Sequence, residues 1–304
     1  MRSAFINELT ELAETNPKIF LIVGDLGYNV VEPFANRHPD RFLNAGVAEQ
    51  NMTGVAAGLA MCGFHVFTYS IANFPTLRCL EQIRNDVCYH KLPVTIVSVG
   101  CGFSYGNLGY SHHAVQDLAC MRCMPKMAIA TPSDILETRA VIRKICSAPG
   151  PSYLRLGKSE EGKLHDTMFE IDSTGLQAIQ VVIGATKAVL ACGTIANLAR
   201  IPAGASEASL FNAVYWGSST SSPQSLINFI EKYERVVIVE EHLRAGGFGS
   251  YVRECLEKRP DLQSRIRCLN IGDEATELVG SQDWLRKLTG LTEQAILSSL
   301  AISS

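Results

Sequence analysis

The chain has 304 residues, about twice the usual domain size, so two domains, each with its own core, are expected. Hydrophobic residues make up 47% of it against 19% charged, which excludes a disordered chain, and no run of 18 or more apolar residues is present to span a membrane as a helix. A formal net charge of −3 and the lack of any Lys/Arg run exclude the basic footprint of a nucleic-acid binder, leaving small molecules or protein as partners.

Residues 3 to 15 read as a helix in which charges interrupt the apolar spacing, so no secretory core forms there and no targeting segment is expected. Ile19 to Val23 is a short apolar strand that ends at Gly24-Asp25. The alternation continues with a helix near 48–62, a strand near 64–69, a helix near 75–90 and a strand at Val94–Val99. Strands near Ala128 and Tyr153 follow, with a helix between them. Such alternation predicts an α/β fold with mainly parallel sheets flanked by helices.

The pattern weakens between about 158 and 185, so a first domain is placed at 1–165, a linker at 166–185 and a second domain at 186–304. That second unit opens with the strand from Lys187, continues with the apolar run Val236–Val239 and ends in helices near 247–257 and 291–300. Its least periodic stretch is Ile201–Ser222. The ten cysteines are scattered and mostly sit in apolar segments, as Cys62, Cys101, Cys146 and Cys192 do. This is the pattern of reduced core thiols and predicts a cytoplasmic home. Cys120 and Cys123 have zinc-like spacing, but they fall in an apolar helix end with no second pair and are read as core.

The most informative segment is GVAEQNMTGVAAGLAMCG at 46–63, where Glu49 sits at an apolar, glycine-bearing strand-to-helix junction. A carboxylate so placed is partly desolvated and suited to acid–base work, although the same position also suits an ordinary helix-start glutamate favoured by the macrodipole. The segment resembles the glycine–small–Ala-Glu-Gln motif of the transketolase family, and the resemblance extends over nearly the whole chain. It implies a pyrimidine-binding domain followed by a transketolase C-terminal domain. It further implies thiamine diphosphate as coenzyme and a catalytic role for Glu49, whose counterpart hydrogen-bonds a ring nitrogen of the aminopyrimidine and so readies the thiazolium for attack on a ketose carbonyl.

The same resemblance assigns further residues. VGDLG at 23–27 is similar to the family turn that places an aspartate, here Asp25, near the thiazolium. Leu77–Val87 looks like the helix following the pyrimidine pocket in separate C-terminal transketolase subunits. Phe74 just before it is the aromatic expected to pack on the pyrimidine, with Ile71 at a neighbouring pocket position. The glycine-rich loop from Gly106 to Asp117 carries His112, implied to contact the substrate carbonyl or hydroxyl and move protons there. His113 matches a second histidine of 1-deoxyxylulose-5-phosphate synthase and is a further substrate-side candidate. Tyr153–Gly157 looks like the strand with a phosphate-gripping arginine, which assigns that role to Arg155. Thr131–Asp134 is a helix-capping turn, and the glycines of residues 239–250 are structural, with no role in chemistry for His242.

Departures are equally informative. The family holds the coenzyme's diphosphate through Mg2+ bound to a Gly-Asp-Gly motif that is lacking here, so the metal ligands are expected on an N-terminal partner subunit, in an α2β2 assembly. Gly100 and Leu108 stand where the family carries a histidine and an aspartate that recognise the sugar phosphate and the donor's hydroxyl. The resemblance thus implies a transferase moving a two-carbon ketol unit between sugars or sugar phosphates, active only with its partner. Alternatives are a 1-deoxyxylulose-5-phosphate synthase-like subunit, a 2-oxo-acid dehydrogenase β-like subunit, or a non-catalytic scaffold.

Overall fold

A computed structural model of the chain describes residues 1–158, 162–220 and 222–301. In the first domain α1 (Arg2–Thr15) leads to β1 (Ile19–Val23), α2 (Glu32–Arg37), β2 (Phe42–Asn44), α3 (Glu49–Met61) and β3 (His65–Ile71). A helical segment follows, then β4 (Val94–Val99). It passes through a 3-10 turn at Leu77–Cys79, one α-turn, α4 (Leu80–Gln82), and a π-helix at Ile83–Cys88. The helix expected near 75–90 is present as this mixed segment. The wider π-turn lets neighbouring residues face two cores, Val87 packing in the cluster beneath α3 and Cys88 in the cluster beneath α5 (Asp117–Arg122). Then come β5 (Ala128–Ala130), α6 (Ile135–Ser147) and β6 (Ser152–Leu156). Asp134 caps α6 as expected, its Oδ1 accepting from the Glu137 amide at 2.8 Å.

The second domain contains β7 (Leu176–Gln180), β8 (Lys187–Cys192), α7 (Ala196–Ala205), β9 (Ser209–Ala213), β10 (Tyr215–Trp216) and α8 (Pro223–Glu231). It ends with β11 (Arg235–Leu243), α9 (Phe248–Cys255), α10 (Pro260–Gln263), β12 (Ile266–Ile271), α11 (Gln282–Leu288) and α12 (Glu293–Ala301). Its sheet has the order β12-β11-β8-β9-β7 and is parallel except at β7. The first sheet, β10-β5-β6-β4-β3-β1-β2, is parallel except at β10. The central strands β4 and β11 are buried along their whole length, as helices on both faces require, which explains their unbroken apolar runs in the sequence.

Two elements differ from the sequence reading. The 166–185 linker contains β7, which pairs antiparallel with β9 from Leu176 opposite Ala213. Every residue of this edge strand is half-buried, so Leu-Gln-Ala-Ile-Gln shows no apolar run. In the aperiodic stretch, β10 crosses back to the first sheet, Tyr215 pairing with Ala130 and Trp216 with Ile129. Trp216 is buried there, so the two domains share a sheet edge as well as a boundary. No described helix is long and apolar enough to cross a membrane.

Candidate active site

Glu49 is positioned by two parallel strands and one helix. The Ala45 amide donates to the Val23 carbonyl at 2.9 Å, which carries the end of β2 alongside β1. Gly46 then turns with φ +72°, and α3 starts at Glu49. Ala56, Ala57 and Ala60 let α3 lie close on the sheet. The glutamate is 1% exposed, and its carboxylate bonds none of its own helix's amides; it reaches instead to neighbouring elements. Ser70 Oγ, on β3, donates to Oε1 at 3.2 Å, and Arg78 Nη1 donates to Oε2 at 2.6 Å. The carboxylate of this helix-start glutamate thus engages neighbouring elements. Gly24 lies directly beside it, since a Cβ there would stand 3.6 Å from Glu49 Oε1.

Asp25 occupies the turn after β1 with φ +55°, a conformation that Asp tolerates better than most residues. Asn44 secures it twice: Oδ1 of Asn44 accepts from the Asp25 amide at 3.1 Å, and Nδ2 donates to Asp25 Oδ1 at 3.0 Å. The Asp25 side chain is exposed, one residue beyond the Gly24 that flanks the buried Glu49. Ile71 is half-buried at the end of β3, and Phe74 follows in a turn closed by its own amide on the Ile71 carbonyl at 2.9 Å. Arg78 lies over the Phe74 ring, 4.8 Å from its centroid, and His112 meets that ring edge-on at 5.4 Å. Asn73 Nδ2 donates to the Ser111 and His113 carbonyls at 3.2 and 2.8 Å, tying the Phe74 turn to the histidine loop. Glu49, Arg78, Phe74 and His112 thus form one continuous string of contacts.

Two of the residues assigned to substrate are not available for it. His113 is fully buried, edge-on to Phe103, with Nε2 3.4 Å from the Gly106 carbonyl. Burial lowers its pKa against that carbonyl's pull, so it is a neutral loop anchor, not a substrate contact. Arg155 is also buried. Its Nε donates to Asp117 Oδ2 at 2.6 Å, and Nη2 donates to the Ala114 and Glu241 carbonyls at 2.8 and 3.1 Å. Burial opposes ionisation of Asp117, but the Arg155 guanidinium, His242 and the Tyr153 hydroxyl outweigh it and hold the carboxyl below its usual range. The phosphate grip assigned to Arg155 is therefore corrected: the side chain locks the domain junction.

Sequence reasoning missed Ser70, Arg78, Tyr105 and Lys158. Tyr105 packs against Gly100, where any Cβ would collide with its ring, and meets His112 at 6.2 Å. Lys158 Nζ sits over the Tyr105 ring at 4.8 Å and is exposed, which puts a cation at the mouth beside His112. Residue type alone could not reveal this, because Lys158 opens the polar stretch that reads as a loop.

Residues 1–162 match the transketolase pyrimidine-binding domain. The chain belongs to the transketolase family. It is 32% identical to a putative transketolase C-terminal section from Methanocaldococcus jannaschii, over 97% of this chain and 93% of that protein. It is 31% identical to one subunit of an apulose-4-phosphate transketolase from Phocaeicola vulgatus, over 90% of this chain and 88% of that subunit. Among solved structures, a split-gene transketolase described as an inactive β4 tetramer superposes with a TM-score of 0.84 at 30% identity, covering 99% of this chain and 97% of that one. The fold matches that of these C-terminal transketolase chains along nearly their whole length.

Proposed function

We propose that this transketolase chain transfers a two-carbon ketol unit between sugar substrates as the C-terminal half of a two-chain enzyme. The N-terminal partner subunit supplies the diphosphate and Mg2+ site, in an α2β2 assembly. The observation that carries this reading is Glu49, a carboxylate 1% exposed whose oxygens face outward from its helix toward Arg78 and the Phe74 face. The residues fit the coenzyme's pyrimidine: Arg78, a flat group bearing N–H donors, already bonds Glu49 and lies over Phe74, so a flat nitrogen heterocycle can use the same two contacts.

When bound, thiamine diphosphate supplies a nucleophilic carbon that carries the two-carbon unit. Glu49 holds the proton exchanged with the pyrimidine ring nitrogen. Phe74 and Ile71 flank the ring and exclude water, while Asp25 stands on the rim near the thiazolium. His112, edge-on to Phe74, moves a proton at the substrate oxygen, and Lys158 attracts an anionic substrate tail. The name of the similar apulose-4-phosphate transketolase specifies a 4-phosphate, which suits such a cation.

The test is reconstitution. The lone chain is expected to show no ketol transfer, in keeping with the β4 tetramer that is described as inactive, and the mixture with its N-terminal partner to show it. Glu49→Gln should leave assembly intact and lower turnover about 10²–10⁴-fold, the usual contribution of a positioned acid–base group. Activity of the lone chain overturns the two-chain reading, and near-normal turnover of the variant overturns the role of Glu49.

A further inference from the structure

The two contacts assigned to the coenzyme's aminopyrimidine are both made, in the chain itself, by one side chain. Arg78 Nη1 donates to Glu49 Oε2 at 2.6 Å, and its guanidinium carbon lies 4.8 Å from the Phe74 centroid. A guanidinium is planar, offers N–H donors from its edge and stacks by its face on aromatic rings. An aminopyrimidine whose ring nitrogen carries a proton presents the same two handles, an N–H toward the carboxylate and a flat face toward Phe74. The Arg78 side chain is 45% exposed and rises from the 3-10 turn at Leu77–Cys79, so it can swing outward without disturbing the sheet. Resting on the pyrimidine reading above, we infer that Arg78 is a built-in occupant of the pyrimidine site: it takes the ring's place in the coenzyme-free chain and is turned out when the ring enters.

Glu49 explains why such an occupant is useful. A carboxylate this buried is costly to leave without a cation, and the Ser70 hydroxyl at 3.2 Å is its only other hydrogen-bond partner among the described residues. Arg78 keeps the pocket satisfied until the coenzyme arrives. The consequence is a reduced apparent affinity, because a ligand that needs the open state binds in proportion to the fraction of chain that is open. Arg78 is thereby a positioning residue that sets coenzyme affinity through Glu49.

The full chain is titrated with 4-amino-5-hydroxymethyl-2-methylpyrimidine, which carries the ring without the diphosphate, and binding is followed by calorimetry or NMR. Arg78→Ala is expected to bind it about tenfold more tightly than the natural chain, a change of about 1.4 kcal/mol, and to melt at a lower temperature when unliganded. Arg78→Lys should fall between them, since an ammonium can still pair with Glu49 but has no flat face for Phe74. Equal binding by the natural chain and Arg78→Ala, with Glu49→Ala abolishing binding in both, overturns the occupant and leaves the pyrimidine site standing. Binding that survives Glu49→Ala overturns the pyrimidine reading itself. If the fragment binds neither chain, the same ratio is measured with thiamine diphosphate on the assembled complex, and a ratio of one overturns the occupant.

Discussion

Replacing Arg155 separates a junction residue from a phosphate-gripping one. In Arg155→Ala the Asp117 carboxylate keeps its fully buried position but loses its Nε donor at 2.6 Å and the second contact to Nη2 at 3.3 Å. The Ala114 and Glu241 carbonyls also lose their shared donor. Breaking a buried pair by deleting one partner costs about 3–5 kcal/mol, because the remaining charge stays desolvated and unpaired. Replacing both residues, as in Arg155→Leu with Asp117→Leu, removes that penalty, and the double variant should be more stable than either single one. Denaturant unfolding followed by tryptophan fluorescence is a direct assay, because Trp216 is buried in β10 where the domains share a sheet. A loss below about 1 kcal/mol in Arg155→Ala would refute the reasoning, that being the scale of exposed pairs. So would a stable variant whose only defect was a raised KM for phosphorylated sugars.

Lys158→Ala should raise KM for phosphorylated sugars more than for unphosphorylated ones in the assembled enzyme, and equal effects on both would remove the anion-attracting role. The His242 imidazole is pushed down to about 4, chiefly by burial, from an ordinary value of 6.5. The unfolded chain therefore binds this proton first as pH falls, so stability present above pH 6.5 is lost progressively toward pH 4, by about 3 kcal/mol in total. His242→Gln should flatten that acid limb of the unfolding curve, measured as midpoint against pH beside the natural chain. An unchanged slope would show that the group is not the one titrating.

The sequence exposed what depends on local pattern. Fully buried parallel strands such as β4 and β11 give unbroken apolar runs, and the Glu49 junction carries its glycine and small residues within a few positions. What it concealed depends on long-range pairing. β7 is an edge strand half-buried on both faces, so its composition has no period to detect. The buried role of Arg155 stayed hidden behind the phosphate role that the resemblance implied, because its partners, Asp117 and the Glu241 carbonyl, lie 38 and 86 residues away. His112 and His113 are neighbours in sequence, yet a turn with φ +77° at Gly109 and the bridge between Gly102 and Ala114 send one to the rim and the other into the core.

Among the described residues the second domain makes none of the contacts around Glu49, yet it supports the loop that carries His112. Glu241, at the end of β11, is buried and accepts from the Phe103 amide through Oε1 at 2.9 Å, while Arg286 Nη2 donates to its Oε2 at 2.6 Å and Gln282 to both oxygens at 3.1 Å. Gly102 approaches that carboxylate so closely that no Cβ could be accommodated, and its φ of +59° independently favours glycine. Farther along the same loop, the Gly280 amide donates to the Gly106 carbonyl at 3.2 Å. The loop bearing His112 is thus attached at its start to β11 and α11 and at its middle to the segment before α11. A break near residue 165 would separate His112 from that support. That physical coupling gives a reason for both domains to remain on one polypeptide.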